Sequence, residues 1–397
     1  EGALTEDVEA FTADWIDRMY DGQIGRKTAA LLHDFAQVTN VHKVENMEQD
    51  AFSQTAYGDE AAMRIHRYEE MMAEGNALYE KLPAKEKDAF FQLVLMRIHA
   101  AYFTNLAYYY GDRSTLMYER GNMQAAACYT GKSREAEDAR RRLLHYYNHV
   151  MCGGKWNGIL NPEGFPPPRA AMMPVCTPPL KIAGEPAMRV DVWNEEKELC
   201  FTMPGEKWID IGNTGGGAFA VRLQAPVWVS LSEEQYVIRT EKRILVRVAQ
   251  VCGDCRGEIV VENVDDGSFV KIPVRVMEMT AGSGCAVEED GLAVLETCTV
   301  QSGDFKQIRR LGRMQGDLTE VCVQREPEEL TRQTKPLCYD FVTYSAGACL
   351  LEIHRFPSLN SVGRIRIGIS LDDGPIRIVE SFSNDEWRGN WKKNVLH

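Results

Sequence analysis

No apolar run in the 397-residue sequence approaches the roughly 20 residues needed to span a bilayer, so no membrane-crossing helix is expected. No basic stripe interleaved with aromatics is present either. The formal net charge of −13 sets up a field that repels phosphate backbones. Membrane and nucleic acid are therefore not expected as partners. The opening "EGALTEDVEA" is acidic where a secretory leader would be basic and then greasy, and it reads as a cut point in a longer product or as a mature end. Internal repeats and low-complexity tracts are lacking. The 11 cysteines are odd in number and lack the regular spacing of a disulfide framework. That favours a reducing, cytoplasmic setting, with a periplasmic or extracellular one left open.

What is there is an ordinary globular composition, 44% hydrophobic and 26% charged, in a chain long enough for two or three domains. Residues 1–152 carry helical periodicity. "TEDVEAFTADWIDRMY" puts Val8, Phe11, Trp15 (or Ile16) and Met19 on one face, with Thr5 as a cap. Met63, Tyr68, Met71, Met72, Leu78 and Tyr79 line a second helix that Pro83 ends. Phe90, Val94, Ile98, Ala101 and Leu106 line a third, and "SREAEDARRRLLHYYNHVM" closes the set. Four or five helices with short loops predict an antiparallel bundle.

After Pro179 the period changes to two. "AMRVDVW", "KWIDIGN", "AFAVRLQ", "WVSLS", "KRILVRVAQV", "GEIVVENV" and "SFVKIPVRVME" read as strands of an Ig-like antiparallel sandwich over 186–282. A second sandwich is expected over 283–397, ending in the aromatic and basic "DEWRGNWKKNVLH". The fold class is thus multidomain α plus β, an N-terminal antiparallel helical bundle followed by two antiparallel β-sandwich domains. A proline-rich joint over 153–185 connects them, stiffened by Pro166, Pro167 and Pro168.

Candidate chemistry is sparse. Asp265–Asp266–Gly267 and Asp372–Asp373–Gly374 are the densest acidic pairs of the β region, but Asp-Gly between strands is turn chemistry, which points neighbouring carboxylates apart into water. His145 and His149 could share a helix face as metal ligands, yet no third ligand accompanies them. Cys252–Gly–Asp–Cys255 gives half a zinc site at most and reads as a hairpin turn. "NTGGGAFAV" lacks the Gly-Lys-Ser/Thr of a phosphate cradle and also reads as a hairpin loop. No Gly-x-Ser-x-Gly elbow occurs. No catalytic residue, metal ligand or cofactor is assigned.

The joint carries a family likeness. "YNHVMCGGKWNGIL" followed by "PPPRAAMMPV" resembles the "GGKWNHMM"-like and "QQPPRNVMP"-like runs of glycoside hydrolase family 115, the xylan α-1,2-glucuronidases. "LPAKEKDAFFQLVLMRIHA", "IDIGNTGGGAFAVRLQAPVWVSLS", "IRRLGRMQGDL", "CYDFVTY", "HRFPSLN" and "IRIGISLDDGPIRIV" resemble further family segments in the same order. Gly158, Ile159 and Leu160 stand where relatives have His-Met-Met, and "NPEGFP" replaces an aromatic loop. The resemblance implies the C-terminal, non-catalytic half of such an enzyme. Its TIM barrel, carrying the catalytic groups, would lie upstream in the same gene product, and its substrate would be a glucuronoxylan-type polysaccharide. It further implies that Lys155, Trp156 and Asn157 anchor the joint against the bundle, the barrel or a homodimer partner. The rival reading is a free-standing carbohydrate-binding or protein-interaction module, with Trp387 and Trp391 stacking on sugar rather than packing the tail.

Overall fold

The computed structural model describes residues 8–20, 24–44, 47–55, 58–159, 181–182, 184–250, 253–279, 281–282, 284–289, 291–295, 300–303, 306–313, 316–322, 336–351, 353–354, 364–382 and 395–396. It has a helical part and a β part. The helices are α1 (Val8–Met19), α2 (Gly25–Val41), α3 (Glu60–Glu80), α4 (Ala84–Phe90), α5 (Met96–Glu119) and α6 (Met123–His145). A π-helical turn, Phe91–Leu95, joins α4 to α5 without a break, and another, Tyr146–Val150, extends α6. Helix starts follow local chemistry: the Asp59 carboxylate accepts from Ala62 N at 3.0 Å to cap α3, and the Asn122 amide oxygen accepts from Ala125 N at 3.2 Å to cap α6.

The helical core gathers Tyr68, Leu78, Phe90, Val94, Ile98 and Ala101, as the 3.6-residue period predicts. Leu106 is only half-buried; Asn105 and Tyr108 occupy the inward positions of that stretch. In α1 the expected face is turned outward. Val8, Phe11, Trp15 and Met19 are 73%, 57%, 43% and 41% exposed, and Ile16 is the residue that enters the core. Tertiary packing selects one apolar edge of this helix, and the alternative at position 16 is the one it selects. At the centre lies Arg64, fully buried. Its guanidinium donates to Asn105 Oδ1 (2.7 Å), Val38 O (2.9 Å), His42 O (3.0 Å) and Tyr68 Oη (3.3 Å) and lies 4.5 Å from the Phe52 ring centroid.

The β part begins with β1 (Met188–Val192), β2 (Leu199–Phe201), β3 (Gly205–Asn213), β4 (Phe219–Gln224), β5 (Ser230–Leu231), β6 (Gln235–Ile238), β7 (Glu241–Val248), β8 (Cys255–Asn263) and β9 (Phe269–Val276). They form a four-stranded sheet, β1-β3-β7-β5, and a five-stranded sheet, β2-β9-β8-β4-β6. Ile209, Ile211, Ile244 and Val246 from the first meet Phe201, Phe219, Val221, Ile259, Val261, Ile272 and Val274 from the second in one apolar cluster. The two sheets therefore face each other. Strands β2 and β6 were not legible as alternating runs. One pairing departs from the antiparallel expectation: β2 runs parallel to β9, Leu199 opposite Val274. The glycine loop after β3 and the turn before β8 each carry the chain from one sheet to the other, so neither is the hairpin that the sequence suggested.

Beyond residue 283 the described residues form two-stranded ladders: β10 (Ala286–Val287) with β13 (Phe341–Val342), β11 (Lys306–Arg313) with β12 (Gly316–Cys322), β14 (Ile353–His354) with β17 (Val395–Leu396), and β15 (Arg364–Ile369) with β16 (Arg377–Phe382). The first is parallel and the others are antiparallel. The second sandwich expected over 283–397 falls in large part outside the described residues. No helix among the described residues is long and apolar enough to cross a membrane.

Candidate functional site

The joint leaves α6 through a sharp reversal. Cys152, Gly153, Gly154 and Gly158 take left-handed φ values of 50°, 65°, 80° and 82°. A Cβ at Gly154 would also stand 3.2 Å from His149 O, so glycine answers both backbone and space there. The reversal folds Trp156 back so that it packs, half-buried, against the helical core. Lys155 is exposed and places Nζ 4.9 Å from the Trp156 ring centroid, a cation–π contact; Asn157 is exposed as well. Cys152 Sγ donates to Asp88 Oδ2 at 3.4 Å. Desolvation, then the hydrogen bond and charge of Asp88, push that thiol up, with Trp156 and Lys155 acting against them. Trp156 is thus held by the end of the helical part. Leu160–Leu180, with Pro166 to Pro168, and Trp387 and Trp391 lie outside the described residues.

Elsewhere the candidate chemistry resolves into structure. Asp266 Oδ1 accepts from Ser268 N at 2.8 Å and Ser268 Oγ at 2.6 Å, local bonds that shape the β8–β9 turn, while Asp265 Oδ2 accepts from Ala220 N at 3.1 Å and ties that turn to β4. Those bonds to Ser268 hold the exposed Asp266 carboxyl below its ordinary value. Asp372 and Asp373 take left-handed φ in the β15–β16 turn. The His145 and His149 rings are 4.7 Å apart between centroids. Among the described residues no group of three His, Cys, Asp or Glu side chains is placed to hold a metal ion. Cys128, Cys152, Cys200, Cys255, Cys285, Cys338 and Cys349 are free thiols.

The glycine loop is a docking element. Asn213, fully buried, accepts from Ala187 N (3.1 Å) and Gly215 N (3.0 Å) and donates to Gly217 O (3.2 Å) and Arg239 O (3.3 Å). Gln124 of α6 reaches across to donate to Gly215 O at 2.6 Å.

That contact belongs to a larger interface missed by the sequence reading. The outer face of the four-stranded sheet meets α5, α6 and the start of α3 through buried charge. Asp210 of β3 accepts from Arg243 of β7 at 2.8 and 3.0 Å and lies 3.6 Å from Arg113 and 3.5 Å from Arg120. Arg113 donates to Glu241 at 3.0 Å, Tyr129 donates to the same carboxylate, and Arg243 also reaches Asp59. Asn122 Nδ2 donates to Thr240 O at 2.9 Å, and Arg189 to Arg120 O at 2.9 Å. Burial alone would raise Asp210; the hydrogen bond and charge of Arg243, then Arg113 and Arg120, outweigh it and hold the carboxyl below its ordinary value. Burial opposes the charge on Arg113 and Arg243, but their carboxylate partners win and push both up. Asp59 goes the other way: burial dominates over Arg243 and raises it. The only sequence trace of this interface is an acid and two bases, Asp210, Arg113 and Arg243, inside otherwise well-patterned elements.

These features define a mixed α/β protein whose buried charges tie its helical and β parts together. Residues 287–397 match the sequence profile of the glycosyl hydrolase family 115 C-terminal domain. Among solved structures, the chain is similar to a family 115 4-O-methyl-α-glucuronidase with specificity for decorated arabinogalactans, at 16% identity over 70% of this chain and 42% of that one, TM-score 0.33. It is also similar to a Bacteroides ovatus family 5 xyloglucanase in complex with a heptasaccharide, at 13% identity over 25% of this chain and 21% of that one, TM-score 0.20. The chain spans less than half the length of either. No curated protein matches the sequence.

Proposed function

We propose that the chain is the C-terminal accessory portion of a family 115 xylan α-1,2-(4-O-methyl)glucuronidase, with the catalytic barrel in another part of the same gene product. The observation that carries the reading is the match to the family 115 C-terminal domain at 287–397. In this reading the helices act as an antiparallel bundle, the two facing sheets as an Ig-like sandwich, and the terminal domain as a second sandwich. Together they form a scaffold beside the barrel and its glucuronoxylan-type substrate, in a cytoplasmic setting. Lys155, Trp156 and Asn157 set the exit angle of the joint, with Trp156 as its fixed point.

The test compares the purified chain with the complete gene product on glucuronoxylan. The complete product should release 4-O-methylglucuronic acid and the chain alone should not. Release by the chain at a comparable rate, or a complete product with no glycosidase activity, overturns the reading.

A further inference from the structure

The outer face of the five-stranded sheet carries a shallow depression of about 270 Å³ lined by Arg222, Gln224, Val260, Glu262, Phe269 and Lys271. Strand register builds it. Arg222 of β4 lies opposite Glu262 of β8, which lies opposite Phe269 of β9; one row along, Gln224 lies opposite Val260, which lies opposite Lys271. Two rows across three adjacent strands thus set an aromatic ring and an aliphatic floor among planar polar groups. Side chains of one parity on these strands, such as Val221, Val261 and Ile272, fill the core, so the other parity faces away from it.

Phe269 is the aromatic ring of this outward parity, and it is 60% exposed. A ring so exposed on a sheet gains little for folding, and it lines the depression, where a ligand's C–H bonds can meet it. The charges around it are already balanced. Arg222 lies 3.6 Å from Glu262, and Lys271 lies 2.8 Å from Glu258. A phosphate or carboxylate ligand would need cations that are not already matched by acids. A hydroxyl-rich neutral ligand needs what is here: donors and acceptors side by side, held by their neighbours before binding, next to a flat apolar surface. The volume falls just below the ~300–1,000 Å³ of drug-sized pockets and suits one or two sugar rings lying on the surface.

We propose that this face is a binding site for a pyranose unit of a neutral polysaccharide. The sugar ring stacks on Phe269, its hydroxyls bridge the Arg222–Glu262 pair and Gln224, and Lys271 sits at the far edge. The site is separate from the tail tryptophans and does not depend on the accessory reading above. Its failure would leave the activity test untouched, and the reverse also holds.

The experiment is native affinity electrophoresis of the full chain in gels cast with soluble neutral arabinoxylan, mixed-linkage β-glucan or galactan. At least one should retard the chain. Phe269→Ala should weaken that retardation about tenfold, the scale of one lost stacking contact. Its melting temperature should not change, since the ring contributes little to the core. Arg222→Ala should weaken retardation as well. Phe11→Ala removes a similarly exposed ring from α1 and should leave it unchanged. Retardation by none of the three polysaccharides overturns the proposal. So does retardation that survives Phe269→Ala, or that Phe11→Ala reduces equally.

Discussion

Arg243 on β7 grips Asp210 on β3 through two parallel hydrogen bonds, Nε to Oδ1 at 2.8 Å and Nη2 to Oδ2 at 3.0 Å, on the side of the sheet that faces the helices. A fork-to-carboxylate pair so deeply buried is worth most as a constraint, because removing one partner strands the other charge. Asp210→Asn should therefore cost about 3–5 kcal/mol at pH 7 in denaturant unfolding. The folded carboxyl titrates below its ordinary value, so its contribution is complete above the unfolded carboxylate pKa and is lost as pH falls through the folded one. The gap between wild type and Asp210→Asn should close in acid. Asp59, shifted upward, has the opposite slope, and because it shares Arg243 with Asp210 its own titration shifts with the substitution, so the comparison is read over the acid range where Asp210 itself titrates. A gap independent of pH would mean that Asp210 is not the titrating link.

Arg64 is a buried cation whose hydrogen-bond partners are the neutral oxygens of Val38, His42, Asn105 and Tyr68. Burial pushes its pKa down, with Tyr68 and then Glu60 acting against it. Arg64→Ala would orphan several acceptors at once and open a void, so a loss on the order of 3–5 kcal/mol is expected. Thermal unfolding followed at helix wavelengths checks it. A loss under about 1 kcal/mol would show that water replaces the guanidinium freely.

Trp156 packs against the helical core but keeps part of its surface exposed. Trp156→Ala should cost about 2 kcal/mol, less than a fully buried aromatic, and should leave oligomer size unchanged on a sizing column. A change in size without a change in melting temperature would place the ring in an assembly contact instead.

Gly215 sits where an added Cβ would stand 1.8 Å from Glu185 O. Backbone must move to admit it, and the Gln124 bond to Gly215 O would go with it. Gly215→Ala should therefore destabilise by roughly 1–3 kcal/mol, with amide exchange rising first in the loop and at the N-terminus of α6. Wild-type exchange in both places would contradict the docking role.

Periodicity carries far in this protein because it is a local property. The faces of α3 and of the α4–α5 stretch, and the alternation of β1, β3, β4, β7, β8 and β9, follow from residue spacing alone. The turn roles of Asp265–Asp266–Gly267 and Asp372–Asp373–Gly374 follow from backbone preferences of Asp and Gly in the same way. The resemblance at the C-terminal end is equally a property of residue order, which the match over 287–397 bears out.

Pairing between distant segments is not local, and there the reading stopped. Nothing in "LCF" or "QYVI" marks β2 or β6, which exist because β9 and β4 offer them edges. Alternation cannot say which neighbouring strands share a sheet, so the glycine loop passed for a hairpin when it crosses between sheets. Helix α1 has two apolar edges, and only contact with the rest of the helical core decides that Ile16 goes in while Val8, Phe11, Trp15 and Met19 stay out. Asp210 shows the same limit most plainly. In sequence it is the polar position of an alternating strand, bound for water. In the folded chain α5 and α6 cover that face, and burial without a partner would cost more than the interface gains. Arg243, Arg113 and Arg120, drawn from segments far apart in the chain, are what make the position tenable, and only tertiary structure brings them there.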